Sequence, residues 1–186
     1  VSDLTLNDVI ADSLTLTAAG NVNQAAGQTL TIADGLTVTL SVGSLTLDQA
    51  NDLNAGGALT SLVTAADESV ELNAIGAVEF GDVTTGTLDI TTGGDIDQAD
   101  GTAFTVAADS TIDSGTFAID LSNAGNDFGE ATLDGGGNVV GDAPVTTFVS
   151  GDLTLVETGG IARLDVTSTG AVDITTTGGI EADNRL

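Results

Sequence analysis

Apolar residues in this chain come in pairs with one polar residue between them, as in Leu4-Thr5-Leu6, Leu14-Thr15-Leu16, Leu45-Thr46-Leu47, Leu88-Asp89-Ile90 and Leu153-Thr154-Leu155. Alternation with period two predicts strands of about three to five residues, one face of each turned inward. Between the pairs stand small residues, Gly93-Gly94 or Ala99-Asp100-Gly101, that accept the positive φ of a tight corner. The cleanest run is Leu36-Thr37-Val38-Thr39-Leu40.

The same phrase is written twice. LTLTAAGNVNQAAGQTLTI from Leu14 to Ile32 returns as LDITTGGDIDQADGTAFTV from Leu88 to Val106, with Asn21 and Asn23 replaced by Asp95 and Asp97. Shorter echoes follow: Leu88 comes 18 residues after Val70, and LTLVETGGI at 153–161 recurs 19 residues later as VDITTTGGI at 172–180. Strand, corner, strand, corner, strand in roughly 18–24 residues is one coil of an all-β parallel β-helix, a β-solenoid with three short strands per coil. With a rise of about 4.8 Å per rung and about nine or ten rungs, the rod is expected to be roughly 45 Å long.

Two stretches loosen the pattern. From Asp48 to Ala66 the residues Asn51, Asp52, Asn54, Gly56 and Gly57 mark a wider turn or bulge, with a short helical turn over 48–53 as another reading. Residues 134–146, with Gly135-Gly136-Gly137 and the lone Pro144, read as an outward loop. Hairpin dipeptides are scarce relative to Gly-Gly corners, which argues against a sandwich. The whole of 1–186 reads as a single domain. No amphipathic cap precedes Leu4, so the domain is expected to be a segment of a longer repeat protein or one subunit of a filament.

Charge narrows the partners. The formal net charge is -26, with Arg163 and Arg185 the only basic residues and no His. Almost nothing here neutralises phosphate, so nucleic acid is not an expected partner and anionic membrane surfaces are disfavoured. Residues 14–33 are uncharged but rich in Asn, Gln, Gly and Thr, which argues against membrane insertion as a helix. The absence of Trp and Tyr removes the aromatic girdles of an outer-membrane barrel. There is no Cys, which suits a chain exported unfolded.

The run Gly94-Asp95-Ile96-Asp97-Gln98, the phrase from Asn123 to Gly129 and the 19-residue offset resemble the repeat region of filamentous haemagglutinin-like bacterial adhesins. That resemblance implies a right-handed parallel β-helix projecting a binding tip from a Gram-negative cell, hence an extracellular location on the bacterial cell surface. It implies a structural role, as adhesin shaft or as subunit of an end-to-end filament. The partners are then a second copy or further repeats of the same parent chain. The alternative is a carbohydrate- or host-surface-binding module acting through 134–147 or 51–57. The shaft repeats of that family carry no catalytic residues.

The candidate chemistry is sparse. Glu71, Glu79, Asp89, Asp165 and Asp173 each stand between apolar strand neighbours and are expected to point outward. Stacked rungs then bring like charges close, with Thr-bearing rungs interleaved or divalent cations between them. The corner of Asp95, Asp97 and Asp100, with carbonyls of Gly93 or Gly94, offers the oxygen donors that suit Ca²⁺. No other cofactor is expected. With no His for a nucleophilic triad and acids too numerous to single out a pair, the chain reads as no enzyme. Outward Thr5, Thr15, Thr31, Thr37, Thr39, Thr46, Thr105 and Thr154 would form an ice-binding array only if acids did not interrupt them. Asn123, Asn126 and Asn138 read as corner residues or ladders inside turns.

Overall fold

The computed structural model describes residues 3–53, 59–129 and 143–180. In chain order the strands are β1 (Leu4–Leu6), β2 (Val9–Ala18), β3 (Val22–Gln24), β4 (Leu30–Leu40), β5 (Leu45–Asn51), β6 (Leu59–Val63), β7 (Ser69–Ala74), β8 (Val78–Thr85) and β9 (Thr87–Thr92). They continue as β10 (Ile96–Gln98), β11 (Phe104–Val106), β12 (Ser110–Asp113), β13 (Ile119–Phe128), β14 (Val145–Ser150), β15 (Leu153–Glu157), β16 (Arg163–Ser168) and β17 (Val172–Thr176).

Every strand pairing among the described residues is parallel and joins strands of successive coils. One sheet has eight strands in the order β1-β3-β5-β7-β9-β12-β14-β16, and the other runs from β2 to β17 with nine. The chain is therefore an all-β solenoid of about seven turns, with no helix among the described residues.

Three expectations change in detail. Three separate strands per coil occur in the turn of β9, β10 and β11, whereas in several other coils the second and third are fused into one bent strand, as in β4 with 11 residues and β8 with 8. Corner length is the cause. Two residues, Gly81-Asp82, separate the halves of β8, and the ladder survives as a bulge. Five residues separate β10 from β11, with Gly101 at φ 78, and the ladder breaks there. Secondly, Asp48 to Asn51 is strand and not a helical turn, with a register shift between Leu47 and Asn51. Thirdly, the rod is shorter than nine or ten rungs. Seven steps of about 4.8 Å give about 34 Å, because several coils are longer than 19 residues. The step from Leu45 to Val70 is 25 residues, and that from Ser110 to Thr146 is 36. Most of the expected outward loop, 134–142, lies outside the described residues, whereas Val145 and Thr146 already belong to β14.

The interior is sealed. Leu30, Ile32, Val38, Leu45, Leu72, Ile96 and Ile119 are all 0–1% exposed. Through the middle runs an aromatic stack: Phe80, Phe104, Phe128 and Phe148 stand with ring centroids 5.6, 6.0 and 5.8 Å apart in succession. Edge-on and offset contacts of this kind stabilise the core beyond area burial alone.

Candidate functional site

The outward side chains stack into columns that run the length of the rod. In the eight-stranded sheet one unbroken column reads Thr5, Asn23, Thr46, Glu71, Asp89, Thr111, Thr147, Asp165. The other sheet carries Ser13, Gly35, Leu59, Glu79, Asp97, Asp120, Thr154, Asp173. Both begin without charge for three coils and then meet Glu followed by Asp. The expected interleaving with Thr fails at Glu71-Asp89, where two acids stack directly with Thr46 and Thr111 on either side, and fails further at Glu79-Asp97-Asp120, where three acids lie one above another.

Electrostatics follow from that packing. The Asp97 carboxyl is pushed above its usual range by partial burial and then by Asp95, Asp120 and Glu79. Glu71 is raised by burial and then by Asp48 and Asp89. Each group resists ionisation first because burial disfavours the charged form and then because its neighbours carry the same charge. A shallow groove of about 370 Å³, lined by Ser69, Glu71, Thr87, Asp89, Asp109 and Thr111, lies over the first of these acid pairs.

The calcium candidates are not gathered into one donor set. Asp95 Oδ1 accepts the Ala118 N–H at 2.9 Å and so caps the coil above. Asp97 belongs to the acid column, and Asp100 lies exposed in the corner beside Gly101. The Gly94 carbonyl accepts the Thr92 hydroxyl at 2.7 Å. Among the described residues no group of three or more acids is placed to hold a metal ion. Of the stretches expected to bind a carbohydrate, 54–57 and 134–142 lie outside the described residues, as does Asn138.

The most elaborate polar site is internal. Gln24 Nε2 donates to Asn51 Oδ1 at 2.7 Å, and Asn51 Nδ2 donates back to Gln24 Oε1 at 3.1 Å. Asn51 Nδ2 also reaches the carbonyls of Leu47 and Asn73, both at 3.1 Å, and its Oδ1 accepts the Leu30 N–H at 2.9 Å. One buried amide thus ties three successive coils and satisfies backbone groups that a corner would orphan.

The pattern is repeated with close correspondence, and Asn126 Nδ2 adds a bond to the Asn123 carbonyl at 3.1 Å. Gln98 Nε2 donates to Asn126 Oδ1 at 2.8 Å, and Asn126 Nδ2 donates to Gln98 Oε1 at 3.1 Å. Its Nδ2 also reaches the Leu121 and Val156 carbonyls at 3.0 Å, while its Oδ1 accepts the Phe104 N–H at 2.9 Å. Both Asn51 and Asn126 are 0% exposed. Asn126, expected at a corner or in a ladder inside a turn, lies within β13 just after a register shift and pairs Glu157. Alternation and corner composition do not mark Gln24, Asn51 or Gln98 for this role, although a signal is present: a Gln followed by an Asn 27 or 28 residues on, twice.

The two staples sit in different sheets. Gln24 is in β3 of the eight-stranded sheet, and Gln98 is in β10 of the other. Likewise Leu14 and Leu88, equivalent in the sequence repeat, stand in β2 and β9. The copies are three coils plus one strand apart, so they do not stack on each other. The echo at 153–161 and 172–180 behaves differently, since Leu153 pairs Val172 and Ile161 pairs Ile180 directly.

A family model described as repeats of unknown function (DUF5649) matches residues 1–65 and again residues 67–135. The two matched stretches each contain one Gln–Asn staple. No curated protein and no solved structure matches the chain.

Proposed function

We propose a mechanical role for this chain, which belongs to the family of repeats of unknown function: a stiff, acidic spacer in an extracellular surface protein of a bacterium, an adhesin shaft of the filamentous haemagglutinin-like kind or a unit of a filament. The observation that supports this reading best is the unbroken outward column of eight strands from Thr5 to Asp165 over a sealed core. A rod in which every coil is bonded to the coils above and below transmits force along its axis through many hydrogen bonds loaded together. The charge of -26 keeps such rods apart laterally. With Arg163 the only basic residue among those described, trypsin-like proteases find almost no cleavage point.

Immunogold labelling of the source cells with antibody to this chain tests the reading. Gold on intact cells, at the ends or along the length of surface projections, supports it. Labelling that appears only after permeabilisation overturns it.

A further inference from the structure

Of the five Phe residues, four are sealed in the aromatic stack, but Phe117 is 46% exposed. Ile75, on the same corner of the rod, is 56% exposed. Both stand where the eight-stranded sheet hands the chain to the other sheet, Ile75 between β7 and β8 and Phe117 between β12 and β13. The strand register sets Gly93 over Ile75, Gly94 over Gly76 and Phe117 over Gly94. The two apolar side chains are therefore two coils apart, about 10 Å.

The coil between them offers only backbone at these positions. A Cβ at Gly93 would collide with the Ile75 carbonyl, and one at Gly94 with the Ala77 nitrogen. Beyond Phe117 comes Gly151, where a Cβ would collide with the Thr116 carbonyl. Close stacking of the coils thus keeps side chains out of this corner, and Ile75 and Phe117 stand as the two walls of a notch. Apolar groups gathered on one exposed edge, unlike those scattered singly, mark a contact surface.

Charge selects what fits it. Asp95, Asp113 and Asp152 rim the corner, and each is held in place by a backbone N–H: Oδ1 accepts from Ala118 at 2.9 Å, from Gly115 at 2.7 Å and from Ala171 at 2.7 Å respectively. No Lys or Arg occurs in 75–77, 93–95, 113–118 or 151–152. A second copy would bring the same acids to the notch, and an anionic lipid surface the same sign of charge, so both are repelled. A basic segment is attracted by the aspartates, its apolar face covers Ile75 and Phe117, and an Arg laid on the open ring adds a cation–π contact.

We propose that the Ile75–Phe117 notch is an interaction surface for a basic, apolar-faced segment of another protein. The surface depends on this corner alone, independently of where the rod is displayed.

Calorimetric titration of the chain with a synthetic amphipathic Lys–Leu peptide tests it. Phe117→Ser and Ile75→Ser are each expected to weaken binding at least about fivefold. Val42→Ser, at a comparably exposed position on the opposite corner between β4 and β5, is expected to leave it unchanged. Gly76→Leu, where nothing stands within 4 Å of an added Cβ, is expected to tighten it. No loss in Phe117→Ser, or an equal loss in Val42→Ser, means that diffuse charge holds the peptide and overturns the notch. Oligolysine that binds as tightly as the Lys–Leu peptide overturns it too. Amide exchange needs no variant to fold: in the unsubstituted protein the peptide is expected to protect 75–77 and 116–118, and protection spread along the whole rod overturns the proposal. Self-association, or binding to anionic vesicles, that is lost in Phe117→Ser assigns the notch to a second copy or to a membrane and overturns the basic partner.

Discussion

Residues 14–32 and 88–106 share a phrase but not an address. Val22, Asn23 and Gln24 lie in the eight-stranded sheet, where Asn23 stands between Thr5 and Thr46. Their counterparts Ile96, Asp97 and Gln98 lie in the bent sheet, with Asp97 between Glu79 and Asp120. The corner that follows is nonetheless the same in both, with Gly27 at φ 75 and Gly101 at φ 78 and the buried amide closing over it. What repeats is a way of turning a corner, and it works at whichever corner the coil count delivers.

The largest break in that likeness is expected in the core. Phe104→Ala removes the middle of the aromatic stack and is expected to cost about 3–5 kcal/mol, whereas Leu30→Ala, its counterpart with no ring against it, is expected to cost about 1 kcal/mol less. Urea unfolding midpoints of the two variants measure the gap. Equal losses would mean the ring contacts add nothing.

Next come the staples. Asn126→Ala strands the Phe104 N–H and the Leu121 and Val156 carbonyls, and is expected to lose about 3 kcal/mol. Asn51→Ala is expected to match it within about 1 kcal/mol, since the Gln, the N–H and two of the carbonyl contacts correspond. If one staple proves dispensable, the two copies are alike in geometry but not in energetics.

The corner glycines should give a smaller, paired effect. Nothing stands within 4 Å of a Cβ added at Gly27 or Gly101, so alanine there suffers only the left-handed backbone, about 1–2 kcal/mol. Gly94 is another case, because an added Cβ would lie 2.4 Å from the Ala77 nitrogen of the coil below. Gly94→Ala must therefore push neighbouring coils apart, and thermal melting of the three variants separates strain from collision.

The smallest effect distinguishes the copies by charge. Glu71 and Asp97 have raised pKa values in the fold, so the folded state holds protons that the unfolded chain has already released. Stability is then highest below the ordinary carboxylate pKa and falls as pH rises through the raised values. Melts between pH 7 and pH 4 are expected to show stabilisation on acidification, the reverse of common acid denaturation. Asp97→Asn should raise stability at neutral pH by about 0.5 kcal/mol and flatten the profile, while Asn23→Asp, flanked by Thr, should do little. A melting point that falls steadily with pH would dismiss the acid column as a source of strain.

Period-two alternation and the Gly-bearing corners made the solenoid legible, and the outward direction of Glu71, Asp89, Asp165 and Asp173 followed from it. The fusing of the second and third strands was not legible, because a bulge such as Gly81-Asp82 and a full corner such as Ala99 to Ala103 look alike in a run of small residues, and the coil count was not, because single steps lengthen to 25 and 36 residues. Proximity in sequence places Asp95, Asp97 and Asp100 together, while in the coil Asp95 accepts the Ala118 N–H and Asp97 stands in a column.

The kind of local structure is thus written in the chain itself, since side-chain alternation and glycine permissiveness act over a few residues and need no partner. Which residues meet is settled at the tertiary level. Gln24 finds Asn51, and Glu79, Asp97 and Asp120 become neighbours, because the intervening coils close in that register. Steps of 25, 18 and 36 residues all return a strand to the same row, so the partners are fixed only when the coils close.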